Sequence, residues 1–182
     1  MKKNVFTLLA ILVTAGSVSA QTEEGSWMVG GNFNLNTSSN NSAFGFSPSA
    51  GYFFANNFAA GAMFNFDYEK MSDIKNTGFG VGPFARYYFG SNDARPFLHG
   101  QWSYLSSKNE TPLASSTRNG GNFLIGGGVA GFINRNVAIE GLAGYSHTKY
   151  RHASDGGTGG FALKVGFQVY LSGSQMSRVT GQ

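Results

Sequence analysis

Few residues in this 182-residue chain are equipped for chemistry. It holds no cysteine, three histidines, nine acids and thirteen lysines and arginines. Without cysteine there is no thiol nucleophile, no thiolate metal site and no disulfide framework. The most suggestive spacing is His152-Ala153-Ser154, because a histidine beside a serine is the start of a nucleophile–base pair. Such a pair needs a third group, a carboxylate that orients the imidazole. After His152 the only acid is the adjacent Asp155, and Glu140 lies near the far end of the preceding apolar segment. Gly126-x-Gly128-x-x-Gly131 has the letters of a dinucleotide fingerprint. No helical pattern follows it and no β-α-β spacing surrounds it, so the match is accidental. The histidines and acids show no metal-ligand spacing. Two charged sets remain. Asp67, Glu69, Arg86, Glu140 and Lys164 stand singly in otherwise uncharged sequence, where a buried charge needs a partner. His147, Lys149, Arg151 and His152 form a basic cluster suited to phosphate, or simply a solvated loop. The expectation is a protein without catalytic residues, cofactor or metal.

The elements that must position these residues are strands. Glycine is 27 of 182 residues and phenylalanine 17, yet charged residues are only 12% and the mean hydropathy is −0.15. So much glycine argues against a helical bundle, since each costs about 1 kcal/mol in a helix against alanine. Abundant phenylalanine with little charge argues against disorder. Met1-Lys2-Lys3, an apolar run over Val5–Val13 and the small residues Val18-Ser19-Ala20 have the three parts of a secretory signal peptide. Cleavage is expected after Ala20. Removing Lys2 and Lys3 takes two from the formal charge of +4, and export argues against a nucleic-acid partner.

Eight segments then alternate with period two: 27–36, 44–54, 58–69, 78–89, 97–104, 123–133, 137–146 and 161–171. In each, one phase is apolar and contains no Asp, Glu, Lys or Arg. The strand charges Asp67, Glu69, Arg86, Glu140 and Lys164 all fall in the other phase, which is mostly Gly, Ala, Ser and Asn. A soluble barrel turns its apolar phase inward and faces water with Lys and Glu. Here the second phase is too small and too uncharged for that, but it suits the crowded lumen of an eight-stranded barrel. The uncharged apolar phase suits hydrocarbon, where an Arg or Lys at mid-plane costs about 2–4 kcal/mol. The expected fold is all-β, an eight-stranded antiparallel up-and-down transmembrane β-barrel. Short turns at 55–57, 90–95 and 134–136 alternate with longer polar loops at 36–42, 70–77, 106–121 and 146–159, the alternation of outer-membrane barrels. The five strand charges are expected to pair inside and plug the lumen; a gated ion path is the alternative. Tyr52, Phe54, Tyr87, Phe89, Trp102 and Tyr104 are expected as an interfacial aromatic girdle. Pro48 and Pro83 sit at identical offsets in the repeat Pro-x-Ala-x-Tyr-x-Phe, which suggests a shared bulge or kink.

These residues resemble a known family. The hairpins Gly51-Tyr-Phe-Phe-Ala-Asn-Asn-Phe-Ala-Ala-Gly61 and Phe132-Ile-Asn-Arg-Asn-Val-Ala-Ile-Glu140 are similar to those of small eight-stranded outer-membrane barrels of OmpX and OmpA-barrel type, including the "outer membrane protein β-barrel domain" and "porin family" proteins. The likeness spans Trp27 to Leu171. It implies residues 1–20 as signal peptide, 21–171 as barrel and 172–182 as a short periplasmic tail, with both termini periplasmic. Lys164, Gly166, Val169 and Leu171 match the insertion signal read by the barrel assembly machinery, although eleven residues follow Leu171. The implied partners are outer-membrane lipids, lipopolysaccharide (at His147, Lys149, Arg151 and His152) and that machinery; the oligomeric state is left open, with a monomer as the expectation. The implied role is non-enzymatic, structural or surface-interacting. A small channel for ions or solutes is the runner-up. A soluble lipid-binding barrel and a lipid A hydrolase are further alternatives. His152-Ala153-Ser154 is similar to the His-x-Ser of outer-membrane lipid A deacylases, but the carboxylate those enzymes place on the following strand is missing here.

Overall fold

The computed structural model describes residues 22–38, 41–71, 74–112, 114–151, 157–173 and 175–176. The expected signal segment 1–20, His152, Ser154, Asp155 and residues 177–182 lie outside them. The period-two segments form eight antiparallel strands: β1 (Trp27–Ser38), β2 (Asn41–Ala55), β3 (Phe58–Met71), β4 (Ile74–Tyr88), β5 (Ala94–Glu110), β6 (Ser115–Phe132), β7 (Val137–Tyr150) and β8 (Thr158–Leu171). Each pairs with its sequence neighbours, and β1 pairs with β8 from Trp27↔Leu171 to Phe33↔Val165, which closes the sheet into a barrel. Closure removes every unpaired sheet edge over this span, the condition for strands to cross hydrocarbon. No helix among the described residues is long and apolar enough to cross a membrane.

The strand phases sort as the period-two pattern requires. Phe33, Phe54, Phe64, Phe79, Leu98, Trp102, Ile125, Ile139, Phe161 and Val165 point outward and are exposed. Arg86, Glu140, Gln168, Tyr88 and Tyr170 point inward and are buried. The lumen is mixed: polar Ser47, Asn65, Gln101, Ser103 and Gln168 are buried in it, beside large apolar side chains that its glycine content does not suggest. Its core is Met28, Phe53, Met63, Phe84, Tyr88, Phe97, Leu124, Leu142 and Tyr170, with small alanines between. Glycines make this possible by leaving space opposite the large side chains. A Cβ on Gly128 would stand 2.5 Å from Phe97 Cζ, and one on Gly51 would stand 2.9 Å from Phe84 Cζ.

The four long loops expected from the sequence are much shorter. β1 and β2 are separated by two residues, β3 and β4 by two, β5 and β6 by four, and β7 and β8 by seven. The polar stretches at 106–121 and 146–150 continue the ladders, with Ser106↔Asn119 and Glu110↔Ser115 still in register. Strands of 12–18 residues exceed the roughly 9–11 that a tilted membrane strand needs. The wall therefore extends past the apolar band. Above that band both faces are polar, so alternation disappears from the sequence while backbone pairing persists.

The prolines do not produce bulges. At Pro48 the β2–β3 pairing lapses between Phe46↔Phe66 and Ser49↔Met63, and at Pro83 the β4–β5 pairing lapses between Val81↔Tyr104 and Phe84↔Gln101. Register resumes unchanged after both gaps. Each proline lacks the N–H its ladder needs and leaves a two-residue break. The register shift lies instead between Phe53 and Ala55, beside the turn where Asn57 adopts φ 66°.

Val165 projects outward from the middle of β8 and is 64% exposed. Val165→Arg should lower the unfolding free energy in lipid vesicles by about 2–4 kcal/mol, read by urea titration. An unchanged midpoint would mean that this face meets water.

Candidate functional site

The charge cluster lies inside the barrel near the short-turn end. Arg86 sits two residues before the end of β4, and alternation turns it inward with Phe84 and Tyr88. Glu140, near the start of β7, meets it across the lumen. Arg86 Nη1 donates to Glu140 Oε2 at 2.6 Å and to the Tyr88 hydroxyl at 3.0 Å. Tyr170 on β8 donates its hydroxyl to Glu140 Oε1 at 2.8 Å, and its oxygen is also 2.8 Å from that of Tyr88. The guanidinium lies 4.3 Å from the Phe97 ring centroid, close enough for a cation–π contact. Arg86 Nε donates to His99 Nδ1 at 3.3 Å, and His99 Nε2 is 3.1 Å from Gln101 Oε1. Accepting at Nδ1 and donating from Nε2 is the pattern of one neutral tautomer. Arg86 and Glu140 are 4% and 3% exposed, so the pair is withdrawn from bulk water on both sides. A buried pair holds only when its remaining donors and acceptors are also satisfied. The two tyrosines and His99 supply further hydrogen-bond partners to the pair, and Phe97 supplies a ring face to the guanidinium.

A second stopper lies at the mouth itself. Thr22 is 4% exposed, ahead of β1. It accepts from Arg95 Nη1 at 2.5 Å and donates to Asn57 Oδ1 at 2.7 Å, while Asn57 N–H donates to the Thr22 carbonyl at 2.7 Å. Arg95 lies 5.1 Å from the Phe132 ring centroid. Beyond β8, Asn136 Nδ2 donates to the Tyr170 carbonyl at 2.6 Å and to Gln175 Oε1 at 3.1 Å, which ties the start of the C-terminal tail to the β6–β7 turn.

The sequence-expected residues are distributed as follows. Of the five lumen charges, Arg86 and Glu140 meet directly. Asp67 and Glu69 lie nine and eleven residues along β3 from its short-turn end, and Lys164 lies seven residues before the end of β8. Asp67 and Glu69 are therefore separated from the pair along the barrel, whereas Lys164 lies two residues along β8 from Gly166, the register partner of Glu140. Lys164 and Asp67 feel each other's charge without a direct ion pair. Tyr52 packs edge-on to Trp27 and Phe54, and Tyr87 edge-on to Phe89, all outward at the short-turn end. Trp102 and Tyr104 face outward higher on β5. His147 lies 5.6 Å from the Phe123 ring, Lys149 and Arg151 are exposed, and His152 is outside the described residues. Gly166 fits where a Cβ would strike Asn32 and the Gly31 carbonyl of β1, while Val169 and Leu171 pair with β1 at the closing seam. At the exposed rim, Lys108 donates to Glu110 at 2.5 Å, and this bond holds the carboxylate below its usual range. No three His, Asp or Glu side chains among the described residues gather as metal ligands.

Sequence reasoning missed Tyr88, Tyr170, His99 and Gln101 as members of the cluster, although all four lie in the inward phase beside the charges. Thr22 and Arg95 carried no periodic signal, because they lie at or before a strand end.

Arg86→Ala should destabilise the barrel by about 3–5 kcal/mol, since it strands Glu140 in the core. Urea unfolding in vesicles measures this. An unchanged midpoint together with a new ionic conductance would remove the pair's role as a structural plug.

No family model matches the chain, and no curated protein matches it either. Solved structures do. The N-terminal β-barrel domain of Pseudomonas aeruginosa OprF matches with a TM-score of 0.59 at 14% identity, covering 81% of this chain and 98% of that one. Neisserial surface protein A matches at 0.56 and 18% identity over 81% and 95%. Ail, the attachment invasion locus protein of Yersinia pestis, matches at 0.52 and 13% identity over 81% and 99%. Identities this low carry the fold alone. The chain has the fold of the small eight-stranded outer-membrane β-barrels.

Proposed function

We propose that the protein is a non-enzymatic integral barrel of the Gram-negative outer membrane with a structural or surface-interaction role. Residues 1–20 direct its export. Both termini and the three short turns then face the periplasm, and the extended strand ends face outside. The carrying observation is an uncharged apolar outer face around a lumen closed by a buried, hydrogen-bonded ion pair. Such a face has a use only in hydrocarbon, and such a lumen offers little passage. β8, ending at Leu171, is the strand we assign to the barrel assembly machinery, since it closes the barrel against β1. A soluble lipid-binding barrel needs an empty apolar lumen, and this one is filled by Phe53, Tyr88, Phe97 and Tyr170. The structural neighbours include proteins named for the cell surface and for attachment, in keeping with a surface role.

Two measurements on the refolded protein test this reading. It should run with a heat-dependent gel shift and float with vesicles. In planar bilayers it should produce no steady porin-like current steps. Regular steps would replace the closed barrel with the small-channel alternative, and failure to enter vesicles would end the membrane assignment.

A further inference from the structure

Charge returns to the outer face only above the apolar band, and there it is one-sided. Among the described outward positions of the upper strands, Lys70, Lys75, Lys108, Lys149 and Arg151 stand against one acid, Glu110, which Lys108 already pairs. One part of this collar is shaped as a groove. Across β5, β6 and β7, register places Tyr104, Gly121 and Lys149 side by side, with Trp102, Phe123 and His147 one step below. Above them the Arg151 backbone N–H bonds the Asn119 carbonyl at 2.7 Å. Gly121 has no side chain between an aromatic residue and a cation, so a groove of about 500 Å3 opens on the barrel's outer surface. Its floor is already in contact: a Cβ on Gly121 would stand 3.4 Å from Trp102 Nε1. No acid lines it.

The vertical order of chemistries matches one class of molecule. Ile125 and Tyr145 lie lowest and are apolar or aromatic. Trp102 and Phe123 come next, with an indole N–H at the polar edge of the band. Lys149 and Arg151 lie at the top. Aromatic residues with a polar tip favour the membrane interface, and cations just beyond it attract anionic headgroups. A guanidinium also bonds phosphate bidentately. Resting on the membrane reading above, we propose that this groove seats a phosphorylated lipid of the outer leaflet. The phosphate lies between Lys149 and Arg151, and the acyl chains run down over Phe123 and Ile125. His147, tilted against the Phe123 ring, borders the headgroup level.

The test uses the refolded full-length mature protein in nanodiscs of zwitterionic lipid doped with bisphosphorylated lipid A. Native mass spectrometry after detergent release reads retained lipid. The wild type should hold one lipid A per barrel, and Lys149→Glu with Arg151→Glu should cut retention at least about tenfold. Gly121→Leu should also cut it without changing charge, by filling the groove. Equal retention of dephosphorylated lipid A would overturn the proposal, because the lipid would then be held by its chains alone. Full displacement by millimolar inorganic phosphate would overturn the lipid assignment. A heat-dependent gel shift on every variant shows that the barrel has formed. Its loss in the wild type itself would fault the membrane reading instead.

Discussion

An eight-stranded wall encloses a space only one or two side chains wide, and this limit organises the molecule. The inward aromatics Phe53, Tyr88, Phe97 and Tyr170 pack on one another, and glycines on neighbouring strands leave room for large rings. Phe97 is accommodated because Gly128 lies across from it, and Phe84 because Gly51 does. The same arithmetic explains a composition rich in both glycine and phenylalanine. Phenylalanine lines the outside where hydrocarbon has no width limit, and glycine lines the inside where the width limit is severe. The averaged hydropathy is close to zero because two opposite faces are summed.

The width limit also governs the electrostatics. A lumen this narrow holds little water, so a charge inside must be neutralised by neighbours rather than by solvent. Arg86 and Glu140 are neutralised by each other and by Tyr88, Tyr170 and His99 in a single bonded group. The mouth beneath it is closed by a different device, an uncharged Thr22 drawn in by Arg95 and Asn57. The outer surface has the opposite economy. It carries no charge until the wall clears the apolar band, and there almost all of it is positive. The ends of the barrel are thus chemically unlike: a bonded stopper below and a basic collar above.

Much of the fold was legible in the sequence, because strand alternation in a two-faced barrel is written residue by residue. All eight strands and the inward placement of Arg86 and Glu140 follow from it. Legibility ended where the two faces stopped differing. At 106–121 and 146–150 both phases are polar, so the sequence reads as loop, while the backbone continues its ladder at no cost in side-chain contrast. The partnerships inside the lumen were legible only as a class. Arg86 and Glu140 are 54 residues apart in sequence, and their meeting depends on register across the three strand pairings from β4 to β7. Tyr170 shows no sign in the sequence that it completes the pair, since an inward tyrosine near a strand end reads equally well as packing. Pro48 and Pro83 were visible as a repeated anomaly, but the sequence does not distinguish an inserted residue from a missing hydrogen bond.

The extended strands change what another molecule meets on approach. Where flexible loops would offer short continuous peptides, this barrel offers the rims of paired hairpins, with neighbouring residues drawn from different strands. Recognition there is of a surface whose shape depends on closure of the whole cylinder. Antibodies raised against linear peptides from 106–121 would bind unfolded chain far better than intact barrel. Inserted sequence is best placed in the connections at 111–114 and 151–157, which separate their strands by four and seven residues.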